Sequence, residues 1–300
     1  MQRRRACIRV VLLGAVVAIK CAISGAAGAQ SPPPPAGGPY LHRVLSATST
    51  DGLTWTADNR VLLEHASVPC AIVTPEGNVR LYYVDASQTP ETTNCAESTD
   101  GGATFKVLGL TIANRSALKA LDPSIVRLSD GRYRLYFYGP MVQDPGGTGS
   151  HSIYSAISAD GVAFTQEQEV FSYNGLVDPD VFQVSKRSWY MFVFSLADAK
   201  TVLAKSTNGT TFRYSKRNLG LDNWGTTAPV KIGTHRWRLY AFNQRGQQTI
   251  GSFTSRNGLK WKQEAGVRLT AGAGEQITDP QVVQLPDGSW KMFYKSELAP

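Results

Sequence analysis

Apolar and polar positions alternate along this chain in short runs that recur with a fixed grammar. One set of runs opens at or just before a proline: Val68-Pro-Cys-Ala-Ile-Val, Asp122-Pro-Ser-Ile-Val-Arg, Asp178-Pro-Asp-Val-Phe-Gln, Ala228-Pro-Val-Lys-Ile and Asp279-Pro-Gln-Val-Val-Gln. A second set follows after a tight turn: Val79-Arg-Leu-Tyr-Tyr, Tyr133-Arg-Leu-Tyr-Phe, Trp189-Tyr-Met-Phe-Val, Trp237-Arg-Leu-Tyr-Ala and Trp290-Lys-Met-Phe-Tyr. Runs this short, rich in β-branched and aromatic residues and bounded by Gly, Asp and Pro, predict strands covered on both faces. Proline is tolerated at the first residue of a strand, so the first set is expected to begin there.

Each unit then carries an Asp/Asn-Gly pair, at Asp51-Gly52, Asp100-Gly101, Asp160-Gly161, Asn208-Gly209 and Asn257-Gly258, spaced by 49, 60, 48 and 49 residues. Such pairs accept the positive φ of a hairpin turn. The aromatic that follows (Trp55, Phe105, Phe164, Phe212, Trp261) is positioned to wedge between neighbouring units. Repeats of this period built from short strands predict an all-β propeller, each unit one four-stranded blade that must stack on its neighbours to bury its faces. The C-terminal unit, from Asp279 to Tyr294, supplies two strands, and the N-terminal segment from His42 to Leu63 supplies two more. Joined, they complete a fifth blade and close the ring without a free sheet edge.

Composition adjusts this picture mainly at the N-terminus. Residues 1–29 pair a basic start with a short apolar run and a small-residue end at Ala27-Gly28-Ala29, the pattern of a secretory signal peptide. The Pro/Gly-rich residues 30–39 are expected to form an extended leader, and residues 40–300 the single propeller domain. The mature chain is thus expected to be secreted or periplasmic, monomeric and without a membrane span. Loss of Arg3, Arg4, Arg5, Arg9 and Lys20 lowers the formal charge from +8 to +3, and no basic stripe interleaved with aromatics remains to suggest a nucleic-acid partner. The four histidines lack the spacing of a zinc site, and no cofactor or metal is expected.

In an oxidising compartment the remaining pair, Cys70 and Cys95, reads first as a disulfide. They fall in the first and third strands of one blade, about 10 Å apart and beyond bridging distance. Either a distortion near Thr92 to Asn94 closes the gap or both are buried thiols.

In a propeller the long second-to-third loops and the links between blades gather on the face where the inner strands begin, and binding or chemistry is expected there. Carboxylates cluster at that face: Asp122, Asp178 and Asp279 occupy one repeat position, and Glu64 and Glu275 lie in links. The repeated aspartates read equally as turn or cap residues, whereas Asp180 breaks the repeat, standing where other blades have Cys70, Ser124, Val230 and Gln281. Trp224, in a link, is a candidate stacking platform for a sugar ring.

Blades opening with Asp-Pro and closing with Ser-x-Asp-Gly-x-x-Trp/Phe resemble the arabinanase/β-xylosidase/levansucrase superfamily of glycoside hydrolases, over essentially all of the mature sequence. The resemblance implies a five-bladed propeller acting on oligo- or polysaccharide, with an Asp general base, a second Asp that tunes its partner and a Glu general acid at the inner strands of three successive blades. The chain departs from it in having Val68-Pro69-Cys70 where the base would stand, and no Glu in the series. Glycoside hydrolysis through Asp180 with Asp122, Asp178, Asp279, Glu64 or Glu275 is therefore one expectation, and a non-catalytic glycan- or envelope-binding propeller the other.

Overall fold

The structure, a computed structural model, describes residues 37–139 and 150–298. The expected signal peptide, most of the leader and most of the loop from Gly139 to His151 lie outside these residues. Five sheets form the blades of an all-β propeller. Blade I contains Ala66–Val73, Val79–Asp85, Thr92–Ser98 and Lys106–Val107. Blade II runs Leu121–Arg127, Tyr133–Tyr138, Ser150–Ser158 and Ala163–Asn174, and gains Thr111–Ala113 as a parallel outer strand. Blade III has Leu176–Ser185, Ser188–Ser195, Lys200–Ser206 and Arg213–Ser215, and blade IV Trp224–Gly233, Arg236–Asn243, Thr249–Ser255 and Lys262–Gln263.

Blade V joins the two ends of the chain, as the split repeat predicts: the order across the sheet is Thr56–Glu64, Arg43–Ser49, Trp290–Leu298, Glu275–Gln284. Arg43 lies opposite Ser296 and Ser49 opposite Trp290, an unbroken seven-residue register. The chain enters the fold slightly earlier than expected. Gly38–Leu41 makes a 3₁₀ turn, and Tyr40 stacks on His65 with ring centroids 3.9 Å apart.

The Ser-x-Asp/Asn-Gly turns are self-contained hydrogen-bond cages. In the first, Gly52 N–H donates to Ser49 Oγ (2.9 Å) while Asp51 Oδ1 accepts the N–H groups of Leu53 and Thr54 (both 2.7 Å). Asn208 and Asn257 accept the corresponding pairs of N–H groups in their own blades. Every turn glycine has φ between 69° and 77°, the left-handed region that favours glycine.

These cages also lock blade to blade. Tyr82, Tyr136 and Tyr240, at one position of the second strands, donate their hydroxyls to the carbonyls of Gly161 (2.9 Å), Gly209 (2.7 Å) and Gly52 (2.7 Å) in the following blade. The wedge aromatics meet the aromatic at this second-strand position edge-on, as in Trp55 against Tyr240, Phe212 against Tyr136, Phe105 against Phe293 and Trp261 against Phe192. Burying a tyrosine ring without stranding its hydroxyl requires such an acceptor.

Two expectations need correction, and the alternative left open at the cysteines is decided. The prolines do not start their strands. Register shifts fall between Ser67 and Cys70, Leu121 and Ser124, Val177 and Asp180, and Thr278 and Gln281, so the X-Pro pairs of blades I, II, III and V sit inside β-bulges, the other place where a strand accommodates proline, while Ala228-Pro229 of blade IV stays in register within its strand. In blade IV Ala228, opposite Tyr240, rather than Val230, is the equivalent of Asp180, because the bulge there falls at Gly225 to Thr227. The cysteines are free and buried: both pair in register with Tyr82, one from each side, so a whole strand separates them. Burial pushes both thiols up to about 12.

Candidate functional site

The bulges build the site. Val68, Asp122, Asp178 and Asp279, the first residues of the four X-Pro pairs, have φ of 45°, 52°, 53° and 51°. Asp tolerates this backbone because its short side chain bonds locally, which accounts for its repetition; β-branched Val68 is strained in it. Blade IV contributes Thr226 at the equivalent place.

Asp279 is the anionic anchor. Its carboxylate accepts Thr226 Oγ1 (2.7 Å) and Thr278 Oγ1 (3.0 Å) and lies 3.0 Å from Lys295 Nζ. Burial opposes its ionisation, but the Lys295 ammonium and the two hydroxyls outweigh it, and Asp279 is held below the ordinary carboxylate range. Lys295 keeps its proton more firmly than a free lysine: burial works against the charge, and Asp279 overrides it.

The next two carboxyls go the opposite way. Asp122 accepts the backbone N–H of Asp178 (3.3 Å), yet burial first, with the charge of Asp279 adding to it, raises it to about 6. Asp178 is pushed well above the ordinary value by burial, then by Asp122 and Asp279. Adjacent buried carboxyls cannot all ionise, and Lys295 neutralises only one.

Asp178, Asp279 and Lys295 face a cavity of about 370 Å³ where the inner strands begin. Phe194, Leu196 and Phe242 give it an apolar wall, and Gln244 and Gln247 reach it from the second-to-third loop of blade IV. His42 and Glu297 also line it. The His42 Nε2–Glu297 Oε2 distance is 2.6 Å, and His42 Nδ1 lies 2.9 Å from Ser67 Oγ. Burial and then the nearby Lys295 cation lower the His42 pKa. Neutral at pH 7, the ring donates from Nε2 to Glu297 and accepts the Ser67 hydroxyl at Nδ1.

Asp180 lies elsewhere, in a crevice of only about 20 Å³ that it shares with Asp178, Asp279, Thr227 and the bulge prolines. Burial raises its pKa well above the ordinary carboxylate value, opposed by a long 3.5 Å contact from Thr227 Oγ1. A sugar ring does not fit there; a water does.

Glu275 is tied to Arg43 (3.0 Å) and Ser296 (3.3 Å), on the opposite face of the last strand from Lys295 and Glu297. Glu64 is exposed at the end of the outermost strand of blade V, opposite Arg43. Neither borders the cavity. Trp224 opens the inner strand of blade IV and packs edge-on against Phe253, its ring filling the space over Gly251, and it does not line the cavity. Among the described residues no cluster of three His, Cys, Asp or Glu side chains is arranged to hold a metal ion.

Sequence reasoning passed over His42, Lys295 and Glu297. A signal for two of them is present in the repeat: Lys295 replaces Val84, Tyr138, Phe194 and Phe242, and Glu297 stands level with Leu196 and Gln244. His42, just outside its strand, carries no such mark.

The chain matches no protein-family model and no curated protein. Solved structures do match it. A protein of unknown function from Dyadobacter fermentans superposes with a TM-score of 0.60 at 15% identity, covering 85% of this chain and 84% of that one. The GH43_1 enzyme from Xanthomonas citri complexed with xylotriose gives 0.58 at 16%, covering 78% and 83%. An α-L-arabinofuranosidase from Lactobacillus brevis gives 0.56 at 12%, covering 76% and 82%. The fold is that of the five-bladed glycoside hydrolases. Within this glycosidase-like propeller, the substitution of Val68 for the aspartate expected in blade I leaves the ionisable groups of the cavity concentrated on blades III and V.

Proposed function

We propose that the protein is exported and binds an oligo- or polysaccharide at the channel mouth, where it acts as a glycoside hydrolase. The observation that carries this reading is the separation of proton affinities inside one cavity: burial raises that of Asp178, whereas Asp279, 3.0 Å from Lys295, is lowered. Carboxyl groups with opposed protonation states are what acid/base hydrolysis of a glycosidic bond requires. Asp279, saturated by Lys295, Thr226 and Thr278, is a poor base and serves to hold Lys295 and set the local field. Glu297, oriented by neutral His42 and open at the rim, is the better base. In this assignment Asp178 gives its proton to the glycosidic oxygen as the bond to the anomeric carbon breaks. Water attacks that carbon and loses its proton to Glu297. The apolar wall of Phe194 and Phe242 suits the face of a sugar ring, and the amides of Gln244 and Gln247 suit its hydroxyls.

The test is turnover of aryl arabinofuranosides, xylosides and galactosides, and of polymeric arabinan and levan, by the mature chain and by Asp178→Asn and Glu297→Gln. Each variant is expected to lose about two orders of magnitude or more in kcat while retaining glycan binding. Val68 favours a second reading, in which the cavity binds glycan without cleaving it. Binding with no hydrolysis of any substrate by the wild type selects that reading, and neither binding nor hydrolysis refutes both.

A further inference from the structure

The face opposite the cavity carries only tight turns, and its charge is segregated. In blades I, II and V both turns bear an acid: Glu76 and Asp100, Asp130 and Asp160, Asp287 and Asp51. In blades III and IV neither does. The first turns read Lys186-Arg187 and His235-Arg236, and the second turns have Asn208 and Asn257 in place of Asp.

Turn geometry does not demand that exchange, because the Asn side chains accept the same pairs of backbone N–H groups, at 3.0 and 3.1 Å in both blades, as Asp51 does. What changes is the charge. Around Asn257 the effect is concentrated: Arg236, Arg256, Lys260 and Lys262 line a concavity of about 640 Å³ with Thr254 and without any acid. All four cations are exposed, and among the described residues none has a carboxylate within ion-pair distance. By contrast Arg132, on the acidic side of the same face, is paired with Asp130 at 2.7 Å. Four like charges around one concavity repel each other, and a partner with closely spaced negative charges relieves that repulsion.

We propose that the turn face over blades III and IV binds an anionic polysaccharide, with uronate carboxylates seated among Arg236, Arg256, Lys260 and Lys262. Three features select this chemistry. Thr254 and the Asn257 amide place neutral hydrogen-bonding groups between the cations, as a chain of alternating hydroxyls and carboxylates needs. No aromatic lines the concavity to stack a nucleic-acid base. No exposed large apolar side chain lines it to enter a lipid surface. The site lies on the opposite face from the cavity, so a polymer held here leaves the channel mouth open. The proposal does not depend on the hydrolase reading.

Polygalacturonate is the probe, with neutral dextran, a DNA duplex and phosphatidylserine vesicles as comparators, and binding is followed by titration calorimetry at 50 and 200 mM salt. Wild-type protein is expected to bind polygalacturonate but not dextran, losing about tenfold or more in affinity across that salt range. Arg256→Glu combined with Lys262→Glu is expected to weaken binding by about tenfold or more; both sites are exposed, so an unchanged melting temperature verifies the fold. No binding at 50 mM salt, equal binding by the double variant, or equally tight binding to DNA or vesicles overturns the proposal.

Discussion

Replacing Asp122 by Asn is expected to make the protein more stable at alkaline pH, although it removes a carboxyl that accepts the Asp178 backbone N–H. In the folded protein the carboxyl titrates at about 6 instead of 3.8, because burial and the neighbouring Asp279 disfavour its charge. A raised folded-state pKa means that the native state holds the proton more tightly than the unfolded chain. The resulting stability is present in full below about pH 4 and is lost as pH rises through about 6. A shift of about two pKa units corresponds to about 3 kcal/mol at most. Asn is close to isosteric, tolerates the φ of 52° at this bulge, and can still accept the Asp178 N–H through its amide oxygen. It carries no charge to desolvate. Urea titrations of wild type and Asp122→Asn from pH 4 to pH 8 give the difference in unfolding free energy at each pH, and that difference cancels the titration of groups common to both. The variant should gain about 3 kcal/mol on the wild type between pH 4 and pH 8. A difference independent of pH, or one that moves against the variant as pH rises, refutes the assignment of a buried, reluctant carboxyl at this position.

Other consequences are simpler to read. Tyr240→Phe removes the hydroxyl donated to Gly52 O and leaves that carbonyl without its interblade donor, so a loss of about 1 kcal/mol or more is expected in chemical denaturation, with the effect falling on the closure between blades IV and V. Val68→Asn replaces a strained β-branched residue by one that accepts left-handed backbone, and a gain of up to about 1 kcal/mol is expected; a loss beyond about 1 kcal/mol shows that Val68 packing outweighs the strain. Because Cys70 and Cys95 are unbridged, the melting temperature should not change with reductant, and a drop of several degrees contradicts the free-thiol arrangement.

The fold was legible because its cues are local and repeated. The Ser-x-Asp/Asn-Gly cage satisfies its own backbone within a few residues, whereas the tyrosine clamp to the next blade became visible only in the structure. Asymmetry at the chain ends was enough to place His42 to Leu63 beside Asp279 to Tyr294, since an incomplete blade leaves an open edge at each terminus. The site was legible only in part. Asp122, Asp178 and Asp279 share a repeat position, and a ring brings equivalent positions to one axis. The sequence alone did not tell how their proton affinities separate, because that depends on burial and on Lys295 meeting Asp279 from the adjacent strand of blade V. Asp180 drew attention by breaking the repeat, but depth along the channel decides its access, and depth follows from the bulge that sets each inner strand's register. Glu64 and Glu275 were near in sequence to the right loops, yet alternation along blade V turned Glu275 toward Arg43 and left Glu64 at the outer edge. His42 and Glu297 lie 255 residues apart in the numbering and meet only because the first and last strands pair. Repetition and turn chemistry, which are properties of neighbouring residues, determined the architecture; the protonation and company of each carboxyl were decided by closure of the ring, which sums charges and burial over strands the sequence keeps apart.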